Sequence, residues 1–139
     1  MPSTATLSAT TQTLEHILRA EPRLQFAVLV GSRATGKAHS TSDWDIALQW
    51  QPTVALSASD WMAQLAHTET LRNQLAQALH TEASAIDLLD LHRANLAMRA
   101  SVAEEGHPLA IQDALAWTHF LNRTWRDLED FYWSQQHAA

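Results

Sequence analysis

The sequence predicts an α/β domain in which a small mixed sheet is flanked by helices. Its 139 residues suffice for one packed core and are too few for two. A hydrophobic share of 46% and a charged share of 17% are those of an ordinary globular protein. Apolar runs of strand length also alternate with segments of helical periodicity. We therefore expect a single domain over residues 1–139, with a core over about 24–111 and a C-terminal aromatic helix over about 111–133.

The predicted order of elements is α-β-α-β-α-β-α-α. Helical periodicity, N-cap residues and helix-ending Gly or Pro predict helices over residues 8–20, about 59–80, about 93–105 and about 111–133, with a short helical turn after residue 31. Ser59 is the expected N-cap of the long helix over about 59–80. Continuous apolar runs predict buried strands over residues 24–30, 43–50 and 85–91.

Composition excludes several classes of function. The net charge is −6, and no basic stripe of the kind that binds nucleic-acid phosphates is visible, so a long DNA or RNA substrate is disfavoured. The absence of cysteine excludes disulfides, zinc thiolates and cysteine nucleophiles. No apolar run reaches the roughly 20 residues that span a membrane, and no secretory signal is visible, which makes the cytoplasm the expected compartment.

A glycine-serine turn follows the first predicted strand. Gly31 allows a tight turn, and Ser32 stands where a helical turn begins, so that backbone N–H groups and a hydroxyl can face a phosphate. Arg33 and Lys37 add positive charge beside this turn, and Ser42 precedes the next strand. These five residues are the predicted nucleotide-binding set.

Aspartates begin the second strand and lie within the third. Asp43 and Asp45 are two residues apart, so they point to the same face of a strand, with backbones separated by roughly 6.6 Å. Such a pair suits Mg²⁺, which prefers carboxylates, waters and substrate phosphates. Asp87 lies in an apolar strand where an unpaired carboxylate is costly, and a metal ion or a nucleophile's proton would justify it. Asp90 has the opposite parity, and we expect it to cap the following helix unless it also contributes to the site.

Each of these features also has a purely structural explanation. An Asp-x-Asp pair or a Gly-Ser turn alone usually marks a turn or a helix start, and only their combination favours a functional site. Residues 31–37 also satisfy most of the P-loop pattern, but Ala38 lacks the hydroxyl that would hold Mg²⁺. A second strand also follows within a few residues, where a P-loop would open a long helix. We therefore reject the P-loop interpretation.

Gly-Ser, a ten-residue gap and Asp-x-Asp resemble the signature of the DNA polymerase beta-like nucleotidyltransferase superfamily, in its minimal branch of MNT-domain proteins. The segments 86–91 and 105–109 also resemble the second half of that family, so the resemblance spans about residues 24–111. Thr35 departs from the pattern, since relatives often carry arginine there. The resemblance implies a polymerase beta-like fold, with Mg²⁺ held by Asp43, Asp45 and Asp87, and ATP as the substrate.

Many proteins of this kind are antitoxins paired with HEPN-domain ribonuclease toxins. The resemblance therefore implies an adenylyltransferase that moves AMP from ATP to a tyrosine hydroxyl of such a toxin and neutralises it, with Asp43, Asp45 and Asp87 as catalytic residues. Two alternatives stay open: an antitoxin that only binds its partner, and an enzyme that modifies a small-molecule hydroxyl. The aromatic stripe of the last helix is equally consistent with a core and with the contact to a partner.

Overall fold

The computed structural model describes residues 4–52 and 57–138. Within them the helices are α1 Thr4–Arg19, α2 Ser32–Thr35, α3 Ala58–Ala78, α4 Leu96–Glu105 and α5 Ala114–His137. The strands are β1 Leu24–Val30, β2 Trp44–Trp50, β3 Ile86–Asp90 and β4 His107–Ile111. Two short 3₁₀ helices, Ala83–Ala85 and Leu91–Arg93, lie before and after β3.

The four strands form one mixed sheet in the order β3-β2-β1-β4. The central strand β1 pairs antiparallel with both β2 and β4, while β2 and β3 run parallel. This mixed sheet with helices packed against it confirms the predicted fold class. The pairing places Val30 opposite Asp45, and Asp45 opposite Asp87. The end of β1 and the beginnings of β2 and β3 therefore meet at one end of the sheet.

Each face of the sheet buries its own apolar cluster. On one face, Ile46 and Leu48 of β2 pack with Leu14 of α1 and Leu71 of α3. On the other face, Ala47 of β2 belongs to a second cluster. That cluster also contains Phe26 and Val28 of β1, Val102 of α4 and Phe120 of α5. Because side chains alternate along a strand, Asp45 shares the second face with Ala47.

The strand β4 was missing from the prediction, which began the last helix at about residue 111. The segment is short and contains Pro108, which cannot donate a ladder hydrogen bond. Proline is tolerated here because β4 is an edge strand that pairs only with β1. The last helix consequently begins at Ala114, where the Asp113 side chain accepts a hydrogen bond from the backbone N–H of Ala116 at 3.0 Å.

Two other boundaries differ from the prediction because of a capping side chain, and a third cap was predicted. Ser57, not Ser59, caps α3, in a reciprocal capping box with Asp60. Asn95 caps α4 through the backbone N–H of Met98 at 2.9 Å, so that helix begins after the 3₁₀ turn and not at residue 93. Asp90 accepts from the backbone N–H of His92 at 3.0 Å, which is the capping role expected from its parity.

The last helix divides into a packed half and an exposed half. Trp117 stacks on Phe120, with ring centroids 5.7 Å apart, and both rings also contact Phe26 of the sheet. Beyond them the aromatic side chains Trp125, Phe131, Tyr132 and Trp133 are exposed. The core interpretation therefore holds for the first half of this helix, and contact of the exposed half with a partner stays a prediction. None of the helices described is long and apolar enough to cross a membrane.

Candidate active site

The turn after β1 has a left-handed backbone at Gly31, with φ of 73°. Its carbonyl accepts hydrogen bonds from the N–H groups of Ala34 at 3.1 Å and Thr35 at 3.2 Å, which starts the single turn of α2. The first N–H groups of a helical turn have no partner within that turn, so they point outward at Ser32 and its neighbours. The turn therefore offers backbone donors beside the hydroxyl of Ser32.

Gly31 is pressed against the carboxylate of Asp45. A Cβ atom at position 31 would lie 2.4 Å from Oδ2 of Asp45 and 3.3 Å from its Cγ. Any residue other than glycine would collide with the carboxylate, and its backbone would also be strained at this positive φ. Glycine is required here for both reasons, and the collision shows that the turn lies directly against the carboxylate of Asp45.

The three predicted carboxylates lie together at this end of the sheet. Asp45 is half-buried, whereas Asp43 and Asp87 are exposed. Burial raises the pKa of the Asp45 carboxyl above its usual value, and the negative charges of Asp87 and Asp43 raise it further. Among the residues described, no side chain or backbone N–H donates a hydrogen bond to any of the three carboxylates. The cluster therefore carries negative charge that no hydrogen bond offsets and that a bound cation would relieve.

The carboxylate oxygens of Asp43, Asp45 and Asp87 suit a hard divalent cation. Phosphate oxygens of a substrate would complete the coordination of that cation. As the described side chains stand, no three acidic or histidine residues are close enough together to hold a metal ion by themselves. Mg²⁺ commonly binds through one or two carboxylates plus substrate phosphates, and does not need a protein cage. The turn at Gly31, in contact with Asp45, offers backbone N–H donors for such a phosphate.

Arg33 ties the loop before β2 to the turn. Its Nε and Nη2 donate to the carbonyl of Ser42 at 3.2 and 2.7 Å, and Nη2 also reaches the carbonyl of His39 at 3.4 Å. The guanidinium lies over the ring of Trp44, 4.0 Å from its centroid. Burial lowers the pKa of Arg33, an effect that the nearby Asp43 opposes, and the group stays charged because an arginine pKa is so high. Arg33 thus orders the backbone that carries Asp43.

Of the remaining predicted nucleotide-binding residues, Ser42 forms a hydrogen bond within its own loop and Lys37 is exposed to solvent. The hydroxyl of Ser42 accepts from the backbone N–H of His39 at 2.9 Å, which closes the loop on itself. Lys37 is exposed, and its side chain has no partner among the described residues. The predicted contacts of Ser42, Arg33 and Lys37 with a nucleotide stay predictions.

Two contributors were missed by the sequence reasoning. Trp44, between the paired aspartates, is the platform on which Arg33 lies. Arg72 of α3 donates to the carbonyl of Ile86, the residue before Asp87, and also pairs with Glu69 at 3.2 Å. It therefore fixes the start of β3. Trp44 could have been singled out from the sequence because it lies between Asp43 and Asp45. Nothing in the sequence indicates that Arg72 contacts Ile86.

A mixed sheet that presents a glycine-serine turn and strand-borne aspartates at one end defines a nucleotidyltransferase type of domain. The family model for polymerase beta nucleotidyltransferases matches residues 12–114. The chain belongs to that family, as the sequence motif predicted. A search of curated proteins gave no match.

Solved structures place the chain more narrowly within the family. It is 28% identical to a chain in a structure of a toxin-antitoxin with AMP-PNP, with a TM-score of 0.63 over 91% of this chain and 92% of the other. It is 25% identical to a chain of the toxin-antitoxin MntA-HepT, with a TM-score of 0.57 over 93% and 92%. A tri-AMPylated Shewanella oneidensis HEPN toxin in complex with MNT antitoxin shares the fold at 24% identity, with a TM-score of 0.61 over 94% and 92%. The predicted resemblance to MNT–HEPN systems is confirmed at this level.

Proposed function

We propose that this chain is a Mg²⁺-dependent adenylyltransferase that moves AMP from ATP to a tyrosine hydroxyl of a HEPN-domain toxin, and so acts as its antitoxin. The observation that carries the proposal is the contact between turn and carboxylate, in which Gly31 leaves no space for a Cβ beside Asp45. This contact brings phosphate-binding N–H groups and a candidate metal ligand together in one place.

Asp43 and Asp45 are the proposed metal ligands, with Asp87 as the third carboxylate. Mg²⁺ bound there would neutralise charge on the triphosphate. The turn at Gly31 and Ser32 would hold the phosphates through N–H and O–H donors. Arg33 keeps Asp43 in place through the carbonyls of the 39–42 loop. Burial raises the pKa of Asp45 in the metal-free chain, the charges of Asp87 and Asp43 raise it further, and a bound cation would offset the contribution of the charges.

Transfer needs a hydroxyl placed in line with the α-phosphorus, opposite the pyrophosphate leaving group. The tyrosine oxygen forms the new bond to phosphorus, the bond to the β-phosphate oxygen breaks, and pyrophosphate leaves. The proton of the hydroxyl passes to the exposed carboxylate of Asp87, which lies in register with Asp45 on the neighbouring strand. Positioning and charge neutralisation supply most of the rate in such a reaction.

The partner is proposed from two sources. Structurally similar chains come from a toxin-antitoxin with AMP-PNP and from MntA-HepT, and more than nine-tenths of this chain aligns with each. The exposed aromatic half of α5 also offers anchors of the kind that dominate protein interfaces.

The test is label transfer. The chain is incubated with Mg²⁺, ATP labelled on the α-phosphate, and the HEPN-domain protein encoded beside its gene. We expect label on that protein, with loss of at least 100-fold in Asp43→Asn, Asp45→Asn and Asp87→Asn. Asp90→Asn is the matched control, because it lies on the same strand as Asp87 and asparagine caps the following turn equally well.

Three outcomes would contradict the proposal. A tight complex without label would make the chain a binding antitoxin. Label on an added small hydroxylated compound, and not on the protein, would make it a small-molecule enzyme. Equal loss in Asp87→Asn and Asp90→Asn would remove the specific role of Asp87.

A further inference from the structure

The strand that carries Asp87 is β3, which has five residues and lies at the edge of the sheet beside β2. The N–H and C=O groups on the outer side of an edge strand have no ladder partner, so a short edge strand opens easily at its ends. Asp87 is the second residue of β3, and it faces Asp45 only while the start of this strand stays paired with β2. The place of the Asp87 carboxylate therefore depends on what holds the start of β3.

Two arginine contacts connect β3 with the long helix α3, one at each end of the strand. At the start, Nη1 of Arg72 donates a hydrogen bond to the carbonyl of Ile86. Just after the end, in the following 3₁₀ helix, the guanidinium of Arg93 lies over the ring of Trp61, 4.3 Å from its centroid. Helix α3 thus lies along β3 and contacts both of its ends. Only the Arg72 contact adjoins Asp87.

The guanidinium of Arg72 is oriented by a second partner on its own helix. Nε donates to Oε1 of Glu69 at 3.2 Å, and Nη2 lies 3.2 Å from the same oxygen. Arginine carries its donors in a rigid planar group, so these two contacts direct the remaining Nη1 toward the carbonyl of Ile86. Lysine ends in a single nitrogen on a flexible stem and cannot reproduce this arrangement.

The contact with Ile86 acts on Asp87 through one peptide group. The carbonyl of Ile86 and the N–H of Asp87 belong to the same planar unit, so a hydrogen bond that fixes the carbonyl also fixes the plane to which Cα of Asp87 is attached. The side chain of Ile86 packs on the face of the sheet that α3 covers. Because side chains alternate along a strand, the Asp87 carboxylate points to the opposite face. Arg72 therefore acts on it through the backbone.

We propose that Arg72 is a positioning residue, which sets the Asp87 carboxylate beside Asp45 by fixing the Ile86 peptide. The inference rests on the proposed transfer reaction, in which Asp87 takes the proton of the attacking hydroxyl. Without Arg72 the start of β3 is released and the carboxylate moves away from that hydroxyl, while the turn that holds the phosphates is untouched. Arg72 consequently affects the chemical step and not the binding of the nucleotide.

A double-mutant cycle of Arg72→Lys and Asp87→Asn in the label-transfer assay tests this role. In the otherwise unchanged chain, Arg72→Lys should lower kcat about tenfold and leave KM for ATP unchanged, since a shift of less than about 1 Å loses part of the 10²-fold that such a displacement costs. In the Asp87→Asn background the same substitution should cost at most about twofold, because the side chain through which it acts is already altered. Arg93→Lys, at the other end of β3, is the matched control and leaves kcat unchanged.

Three kinetic outcomes would overturn the proposal. An equal loss from Arg72→Lys in both backgrounds would mean that Arg72 acts on the fold in general. An unchanged kcat in Arg72→Lys would show that the contact with Ile86 has no effect on the reaction. Equal losses in Arg72→Lys and Arg93→Lys would mean that any loosening of β3 from α3 has the same consequence.

Hydrogen exchange of the full chain measures the same contact without the reaction. We expect the Asp87 amide to exchange about tenfold faster in Arg72→Lys, since the start of β3 opens more often, and at an unchanged rate in Arg93→Lys. Exchange as slow in Arg72→Lys as in the wild type would overturn the positioning role, whatever the transfer assay gives. Absence of transfer in every protein, together with the expected exchange, would refute the transfer reaction and keep Arg72 as the residue that positions Asp87.

Discussion

Replacing Gly31 with alanine tests the contact between the turn and the carboxylate. The new Cβ would stand 2.4 Å from Oδ2 of Asp45, whereas ordinary van der Waals contact begins at 3.4 Å. The carboxylate must therefore move by about 1 Å, and a displacement of that size at a reacting centre costs on the order of 10²-fold in rate. The backbone at Gly31, with φ of 73° and ψ of −157°, lies in a region that essentially only glycine adopts, which adds a cost of about 1–3 kcal/mol.

Gly36→Ala separates the two effects. Gly36 also has a positive φ, of 77°, but nothing lies within 4 Å of the Cβ that alanine would add. We expect it to lose about 1–2 kcal/mol of stability, which for a chain of this size lowers Tm by roughly 3–8 °C, and to keep most of its activity.

The assay measures initial rates of label transfer at 25 °C, together with thermal unfolding followed by circular dichroism. We predict a loss of Tm in both variants, larger in Gly31→Ala because the collision adds to the backbone strain, and a loss of transfer of about 10²-fold in Gly31→Ala alone. Equal activity in the two variants would refute the reasoning, since the collision with Asp45 is then without consequence.

Three further predictions rest on charges. Burial and like charges raise the pKa of Asp45, so its ionised form is disfavoured in the fold. Asp45→Asn should therefore raise the Tm of the metal-free chain at pH 7, and this gain should vanish as the pH falls below the ordinary carboxyl value. A gain that persists unchanged at pH 3 would contradict the charge argument. Arg33→Lys should lower the transfer rate about tenfold with little change in Tm, because lysine cannot reproduce the two donors to Ser42; an unchanged rate would show that these donors do not matter. Asp127→Ala should cost about 1–2 kcal/mol in urea unfolding by leaving Arg99 unpaired, and no change in the midpoint would show the pair to be solvent-screened.

The carboxylate positions were predictable because strand periodicity is local. The spacing of Asp43 and Asp45 and the apolar residues around Asp87 predicted strands at both places, although β2 begins only at Trp44, one residue after Asp43. The parallel pairing that sets Asp45 of β2 opposite Asp87 of β3 is seen only in the assembled sheet. Before the structure, only the resemblance to the family implied that these strands are neighbours. The capping role of Asp90 followed from parity alone, and the structure confirms it.

What sequence reasoning missed depends on contacts between distant segments. The strand β4 has only five residues, of which Pro108 is one, so it shows no clear pattern, and it forms because β1 offers it a free edge. Arg72 reaches the start of β3 from α3, a pairing that no local spacing encodes. Arg33 was read as a phosphate ligand from its charge, while its observed partners are two loop carbonyls.

The most direct test of the central claim is the binding of Mn²⁺ with AMP-PNP, measured by electron paramagnetic resonance of the ion. The account predicts that the wild-type chain binds metal and nucleotide together, each strengthening the other, and that Asp43→Asn and Asp45→Asn lose this mutual effect while Asp90→Asn keeps it. Equally tight joint binding in all four proteins would mean that the triphosphate and its metal are seated somewhere other than beside Gly31 and Asp45.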